Sequence, residues 1–283
     1  MIPLLYGALA GVLWGLNPVV IKRYGNGLDA VTVNGVRAFY AFTLLLVFIY
    51  LLGSFQTADL IGLVLIFASA LIGPYFGDYF YVESIRRIGG GNAITIGYLY
   101  ILVAQLASIA FLGEELSSNI LVGTLLAILG VFLIYGGGNN VRDVKGYLLA
   151  LFTAVFWGFS TIFSRLATNY GDVLFLTMLR NLYVFMLALA VRKKRVLDNS
   201  FSRRGFMLGF FAGGLSFGFG MALFIRALSV GGVSASTLPT IIAPLVGRVL
   251  SAIINKEGFD AASLGGSLLI ITGIGIGFIG FTG

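Results

Sequence analysis

Ten apolar stretches, each near the 20 residues that a helix needs to cross a bilayer, decide what this chain of 283 residues can become. They run near 3–22, 30–52, 60–84, 91–112, 119–137, 147–166, 173–191, 205–226, 232–254 and 262–281. Short links punctuate them, with Gly25-Asn26-Gly27, Gly89-Gly90-Gly91, Gly136-Gly137-Gly138-Asn139-Asn140 and Gly231-Gly232 as breakers. No link is long enough for a soluble domain, so any function has to sit inside the bundle. Only 10% of the residues are charged and 59% are apolar, too few charges to cover a water-soluble globule. The N-terminus reads as the first span, without the charged start and cleavage site of a removable leader.

The chain also repeats itself. Sliding it by 143 residues lays Trp14-Gly15 on Trp157-Gly158, and these are its only two tryptophans. In the same register Asn26 meets Asn169, Asp29 meets Asp172, Arg37 meets Arg180, Tyr40 meets Tyr183, Gly77 meets Gly220, Gly89 meets Gly232 and Glu114 meets Glu257. The halves 1–140 and 144–283 therefore hold five spans each. An odd number sends the second half into the membrane from the opposite side. The expected fold is an all-α membrane protein of ten helices in two inverted five-helix repeats, a construction of secondary transporters with a substrate site between the halves near the midplane.

The net charge of +7 sits in the links and not on a polar face, which argues against nucleic acid. With the N-terminal side as one face, Lys22, Arg23, Arg86, Arg87, Arg142, Lys145, Arg192, Lys193, Lys194, Arg195, Arg203, Arg204 and Lys256 fall on the other. Only Arg165 and Arg226 share the N-terminal side. The positive-inside rule puts the basic side in the cytoplasm and both termini outside the cell membrane.

Trp14-Gly15-Leu16-Asn17-Pro18-Val19-Val20-Ile21-Lys22 resembles the W-G-(S/x)-N-x-x-(x)-x-K start of the EamA branch of the drug/metabolite transporter superfamily. Arg37-Ala38-Phe39 is similar to that family's motif at the start of span two. Ile85-Arg86-Arg87-Ile88-Gly89 and Gly113-Glu114-Glu115 resemble its turns around span four, and Trp157-Gly158, Arg180, Ala227-Leu228 and Glu257 repeat the pattern. The resemblance covers the whole chain and implies two EamA repeats that transport or export small metabolites. Two departures matter: Glu257 follows Asn255-Lys256 and not Gly, and the Pro expected within span four is missing. Pro239 and Pro244 stand only in span nine, a structural or gating asymmetry between the halves.

Ionisable residues inside a membrane mark function by default. Asp78, Arg37 and Arg248 each lie about 12 Å in from the basic side, and Arg180 about 12 Å in from the other. Asp78 is the one acid at depth and so the proton-coupling candidate, or a group that reads a substrate amine; an ion pair with Arg248 or Arg37 is the structural alternative. Arg248, past Pro244, suits a substrate carboxylate or phosphate. Arg37 and Arg180 read as structural or gating residues able to snorkel. Three buried arginines against one acid favour an anionic or zwitterionic solute.

Asn92, Thr95, Tyr98 and Gln105 track one face of span four, and Thr237 and Arg248 continue it in span nine, with Ser234 and Ile241. Tyr98 and Tyr100 diverge on a regular helix, so Tyr98 is the expected cavity residue. Trp14, Asn17 and Trp157 complete the expected substrate-binding set. Gly209 and Gly213 form a GxxxG suited to helix packing, in a monomer or at a homodimer contact. Without His or Cys, no zinc site, thiolate or Ser–His triad can form, and no Walker loop is present, so neither cofactor nor metal nor enzyme activity is expected. The partners expected are a small molecule, protons and the bilayer. The sequence points to a secondary transporter of a small polar metabolite, preferably an amino acid or related carboxylated compound, working by alternating access. An exchanger of phosphorylated or nucleotide-linked metabolites, or a lipid-carrier flippase, is the alternative.

Overall fold

The computed structural model describes residues 1–53, 56–135, 143–255 and 261–279, apart from side chains at 89–92, 135, 251–252, 254–255, 263 and 278. The described residues are helical throughout, save for turns and one isolated bridge between Ala58 and Gly171. The first half contributes α1 (Ile2–Trp14), α2 (Leu16–Tyr24), α3 (Ala30–Leu51), α4 (Leu60–Ala70), α5 (Asp78–Gly97), α6 (Tyr100–Leu112) and α7 (Ser118–Tyr135). The second contributes α8 (Val144–Ala167), α9 (Val173–Ser200), α10 (Arg203–Leu208), α11 (Met221–Thr237), α12 (Ile242–Asn255) and α13 (Ala261–Ile279). Helix starts follow local chemistry: the side chains of Asp29, Asp143, Asp172 and Ser202 accept the N–H of Thr32, Gly146, Phe175 and Gly205 at 2.9–3.0 Å.

Seven helical segments are long and apolar enough to span a membrane: Ile2–Tyr24, Ala30–Leu51, Leu60–Ile88, Ala93–Leu112, Val144–Ala167, Val173–Ser200 and Arg203–Leu250. Ser118–Ile134 and Leu264–Gly277 are shorter apolar helices. The sequence reading divides Arg203–Leu250 into two runs, 205–226 and 232–254. Between them Gly232 breaks the helix with φ 74° and ψ −175°, a conformation essentially confined to glycine.

Two π-helical stretches interrupt the bundle. Leu71–Gly77 joins α4 to α5 and contains Pro74; Gly209–Gly220 joins α10 to α11. Both end at glycines of the 143-residue register, and both glycines face a tryptophan: Gly77 lies against Trp157, Gly220 against Trp14. Other contacts recur at the same offset. Gly15 lies against Val246 and Gly158 against Val103. α3 packs on α9 and α7 on α13. The α7–α13 seam is backbone on backbone, Gly123 meeting Gly273 and Gly130 meeting Gly266 with no room for a Cβ. Gly209 and Gly213 are likewise used internally, against Tyr40 and the Arg37 carbonyl. α3 thus covers the GxxxG that the sequence also offered to a second copy.

Basic side chains tie one end of the bundle together. Arg204 donates to the carbonyls of Tyr24 and Asn26, Arg86 to that of Leu28. Arg195 and Arg192 pair with Asp29, and Arg87 with Asp143. Arg142 and Lys256, also assigned to this side, lie outside the described residues, as does Glu257. At the opposite end Glu114 follows Gly113, whose φ of 66° terminates α6. Its carboxylate reaches α11 just past the Gly232 break, accepting the N–H of Val233 at 2.9 and 3.0 Å and of Ser234 at 3.3 Å.

Candidate substrate cavity

Both halves wall a cavity of about 820 Å³, counting the open solvent at its mouth. The first half supplies Trp14, Asn17, Arg37, Pro74, Asp78, Tyr81, Tyr98 and Tyr100; the second supplies Trp157, Ser160, Thr161, Arg180, Phe217, Met221 and Phe224. Such a concave, largely aromatic space with a few converging polar groups is the usual form of a small-molecule site.

Asp78 opens α5 directly after the π-helical stretch and is only 6% exposed. Its Oδ2 accepts Arg37 Nη1 at 2.9 Å and its Oδ1 accepts the Trp157 indole N–H at 2.8 Å. Its partner is therefore Arg37, not Arg248. Every nitrogen of the Arg37 guanidinium is engaged. Nη1 also donates to Asn34 Oδ1 at 3.2 Å, Nη2 to Asn17 Oδ1 at 3.2 Å and Nε to the Ala212 carbonyl at 3.3 Å. Its Cζ lies 3.6 Å from the Phe217 ring centroid. Asn34 Nδ2 in turn donates to the Pro74 carbonyl at 3.1 Å. The expectation that Arg37 snorkels to the surface is thus corrected. At 2% exposure it is held inward by a carboxylate, two amides, a carbonyl and an aromatic face.

Arg180 is not a snorkelling residue either, being 6% exposed. Its Nε donates to Ser69 Oγ at 3.0 Å and its Nη2 to Ser160 Oγ at 3.2 Å. Those serines bond one another at 3.0 Å, and Ser164 Oγ closes the cluster at 2.7 Å from Ser69. The 143-residue register holds here too: Ser160 stands in the place of Asn17, and Ser69 in that of Ala212. The register breaks where Met221 stands in the place of Asp78, and where Thr177, which donates to the Val173 carbonyl, stands in that of Asn34.

The stripe read along span four does not reach the cavity as one face. α5 ends at Gly97 and α6 restarts at Tyr100, so the 100° step per residue is interrupted between them. Tyr98 and Tyr100 consequently both line the cavity, their rings 5.7 Å apart, where a continuous helix would have parted them. Beyond the break Gln105 turns away and donates to Thr124 of α7 at 2.9 Å. Thr237 is buried against its own helix, donating to the Val233 carbonyl at 2.9 Å. Thr95 is buried and Arg248 half-buried on α12, and neither lines the cavity. The side chain of Asn92 lies outside the described residues. Pro239 sits in the 3₁₀ turn Leu238–Ile241 and Pro244 opens α12. Thr240 in that turn meets the Tyr100 hydroxyl at 2.5 Å, joining the two helix breaks.

Sequence reasoning passed over Pro74, Ser160 and Phe217. Pro74, four residues before Asp78, marked a backbone irregularity in span three. Projecting Asn17 through the repeat would have found Ser160. Phe217 carried no signal among 25 phenylalanines.

Comparison with known proteins agrees with this layout. The model of the EamA-like transporter family matches twice, over residues 1–136 and 144–278. An uncharacterized transporter from Archaeoglobus fulgidus is 25% identical over 279 residues, 97% of each chain. One from Clostridium kluyveri is 21% identical over 147 residues, 51% of this chain and 47% of its own. A solved crystal structure shares the fold with a TM-score of 0.79 over 98% of both chains, at 16% identity.

Proposed function

Because this chain belongs to the EamA-like transporter family, we propose that it carries a small polar metabolite, an amino acid or related carboxylated compound, across the cell membrane. It works as ten helices in two inverted halves, 1–140 and 144–283, that rock against one another around the central cavity. The observation that carries this reading is the cavity wall itself. Trp14 and Trp157, equivalent in the repeat, each pack against the other half, and they share the cavity wall with the charged groups Arg37, Asp78 and Arg180. The basic end of the bundle faces the cytoplasm and both termini face outward. Transport draws on a proton gradient or on exchange, with Asp78 as the proton-carrying group.

Purified protein in liposomes tests the reading. Loaded vesicles are expected to take up labelled solute against its unlabelled form on the other side. Absence of counterflow for every solute in a broad set of amino acids and small carboxylates removes the transport assignment for this cavity.

A further inference from the structure

We propose that Arg180 receives the solute's carboxylate, so that the cavity selects a solute with a single carboxylate on an apolar or aromatic body. This rests on the transport reading above. Arg37 and Arg180 occupy equivalent positions in the repeat and sit in similar cradles, one of Asn17 and the Ala212 carbonyl, the other of Ser160 and Ser69. Only Arg37 has a carboxylate within hydrogen-bonding reach; Asp78 acts on Arg180 through space alone. Asp78 gives one oxygen to Arg37 and the other to the Trp157 indole, and its counterpart across the repeat is the thioether of Met221.

Arg180 therefore keeps a buried positive charge whose hydrogen bonds go to two neutral hydroxyls, through Nε and Nη2. Its Nη1 donates to no described protein atom, although the side chain is buried in the cavity wall. A buried guanidinium that no carboxylate bonds calls for one, and its planar fork fits a carboxylate in two parallel bonds. The arithmetic of the cavity sets the charge of that counter-ion. Two arginines against one aspartate leave +1, which a carboxylate neutralises and a phosphate dianion overshoots. Around the site Trp157, Tyr98, Phe217 and Phe224 offer apolar surface to the rest of the solute.

The two tryptophans are the chain's only ones and both line the cavity, so indole fluorescence reports occupancy. The probes are leucine and phenylalanine, the same skeletons without the ammonium (4-methylpentanoate and 3-phenylpropanoate), and leucinamide and phenylalaninamide. The wild-type protein is expected to bind the acids at least about tenfold more tightly than the amides, the worth of a charge-assisted hydrogen bond. Arg180→Gln should erase that preference by weakening the acids alone. Met221→Asp should do the same while keeping the guanidinium, because the new carboxylate takes the place on Arg180 that Asp78 takes on Arg37. It also carries the test should Arg180→Gln fail to fold. Tighter binding of the amino acids than of the plain acids supports the proposal and identifies a zwitterion; equal binding supports it and identifies a monocarboxylate. Wild-type protein that binds amides as well as acids, or folded variants that bind acids within about twofold of wild type, overturn it. If counterflow of other solutes persists in that case, the transport reading stands and the role of Arg180 alone falls.

Discussion

Asp78 shows how much one carboxylate can hold in place. It neutralises Arg37, accepts the Trp157 indole and faces the cavity. Removing one partner of a buried pair leaves the other charge uncompensated, at about 3–5 kcal/mol. Asp78→Asn should therefore lower the thermal stability of the purified protein by that order, and Arg37→Met with Asp78→Leu should recover most of the loss. A double variant as unstable as the single one would show that the pair is not the source. In folded Asp78→Asn, uptake driven by a pH gradient should vanish while counterflow persists; an unchanged gradient response would remove Asp78 from coupling. Counting residues from the loops placed Arg37 and Asp78 at one level of the bundle, and the structure pairs them. It could not show that Asn17 and the Ala212 carbonyl close on the guanidinium, because those two contacts depend on how separate helices pack, whereas Asn34 sits one turn before Arg37 on the same helix.

Elements were legible wherever the apolar run was continuous and obscure wherever a helix was broken. All ten runs fall on helix among the described residues, but the polar stripe through Thr95, Tyr98 and Gln105 failed at the Gly97–Tyr100 interruption. Gly97 stands at that break, but one glycine among 40 singles out no position; beyond it Tyr100 packs against Trp157 and bonds Thr240. The break at Gly232 is different, since the Gly231-Gly232 pair marked it in the sequence. Its backbone admits no side chain, and a Cβ there would stand 2.7 Å from Glu114 Oε1. Gly232→Ala should cost more than the ~1–3 kcal/mol of a strained backbone alone, measured as a fall in unfolding temperature. Glu114→Gln keeps the shape of the cap but not its charge. It should lose about 0.3–1 kcal/mol, the usual effect of a charge at a helix start. A loss in Glu114→Gln equal to that in Gly232→Ala would mean that the charge, and not the backbone, governs the junction.

The molecule as a whole is polarised by its ends. At the basic end, burial raises the Asp29 carboxyl, but hydrogen bonds from Thr32 and Arg195 and the charge of Arg192 outweigh it and hold the group below its ordinary 3.8. The Gly146 N–H and Arg87 hold Asp143 down in the same way. A depressed carboxyl stabilises the fold above its unfolded value and loses that contribution as pH falls through its folded one. Wild type should therefore exceed Asp29→Asn in stability above about pH 4, with the gap closing on further acidification; a gap independent of pH would assign the effect to packing. Reporters fused to either terminus should signal from outside the cell, and cytoplasmic signals would reverse the orientation. The mate-on-mate packing of α3 with α9 and α7 with α13 also sets a timetable for birth. Each contact joins segments more than a hundred residues apart, and a ribosome adding about 5–20 residues per second needs roughly 7–30 s to cover the 143-residue interval. For that time Asp78, Asn34 and Asn17 exist as partners for Arg37, while Ala212, Phe217 and Trp157 do not. The order of synthesis thus leaves Arg37 with only the partners that its own half supplies until the half that completes the cavity has been made.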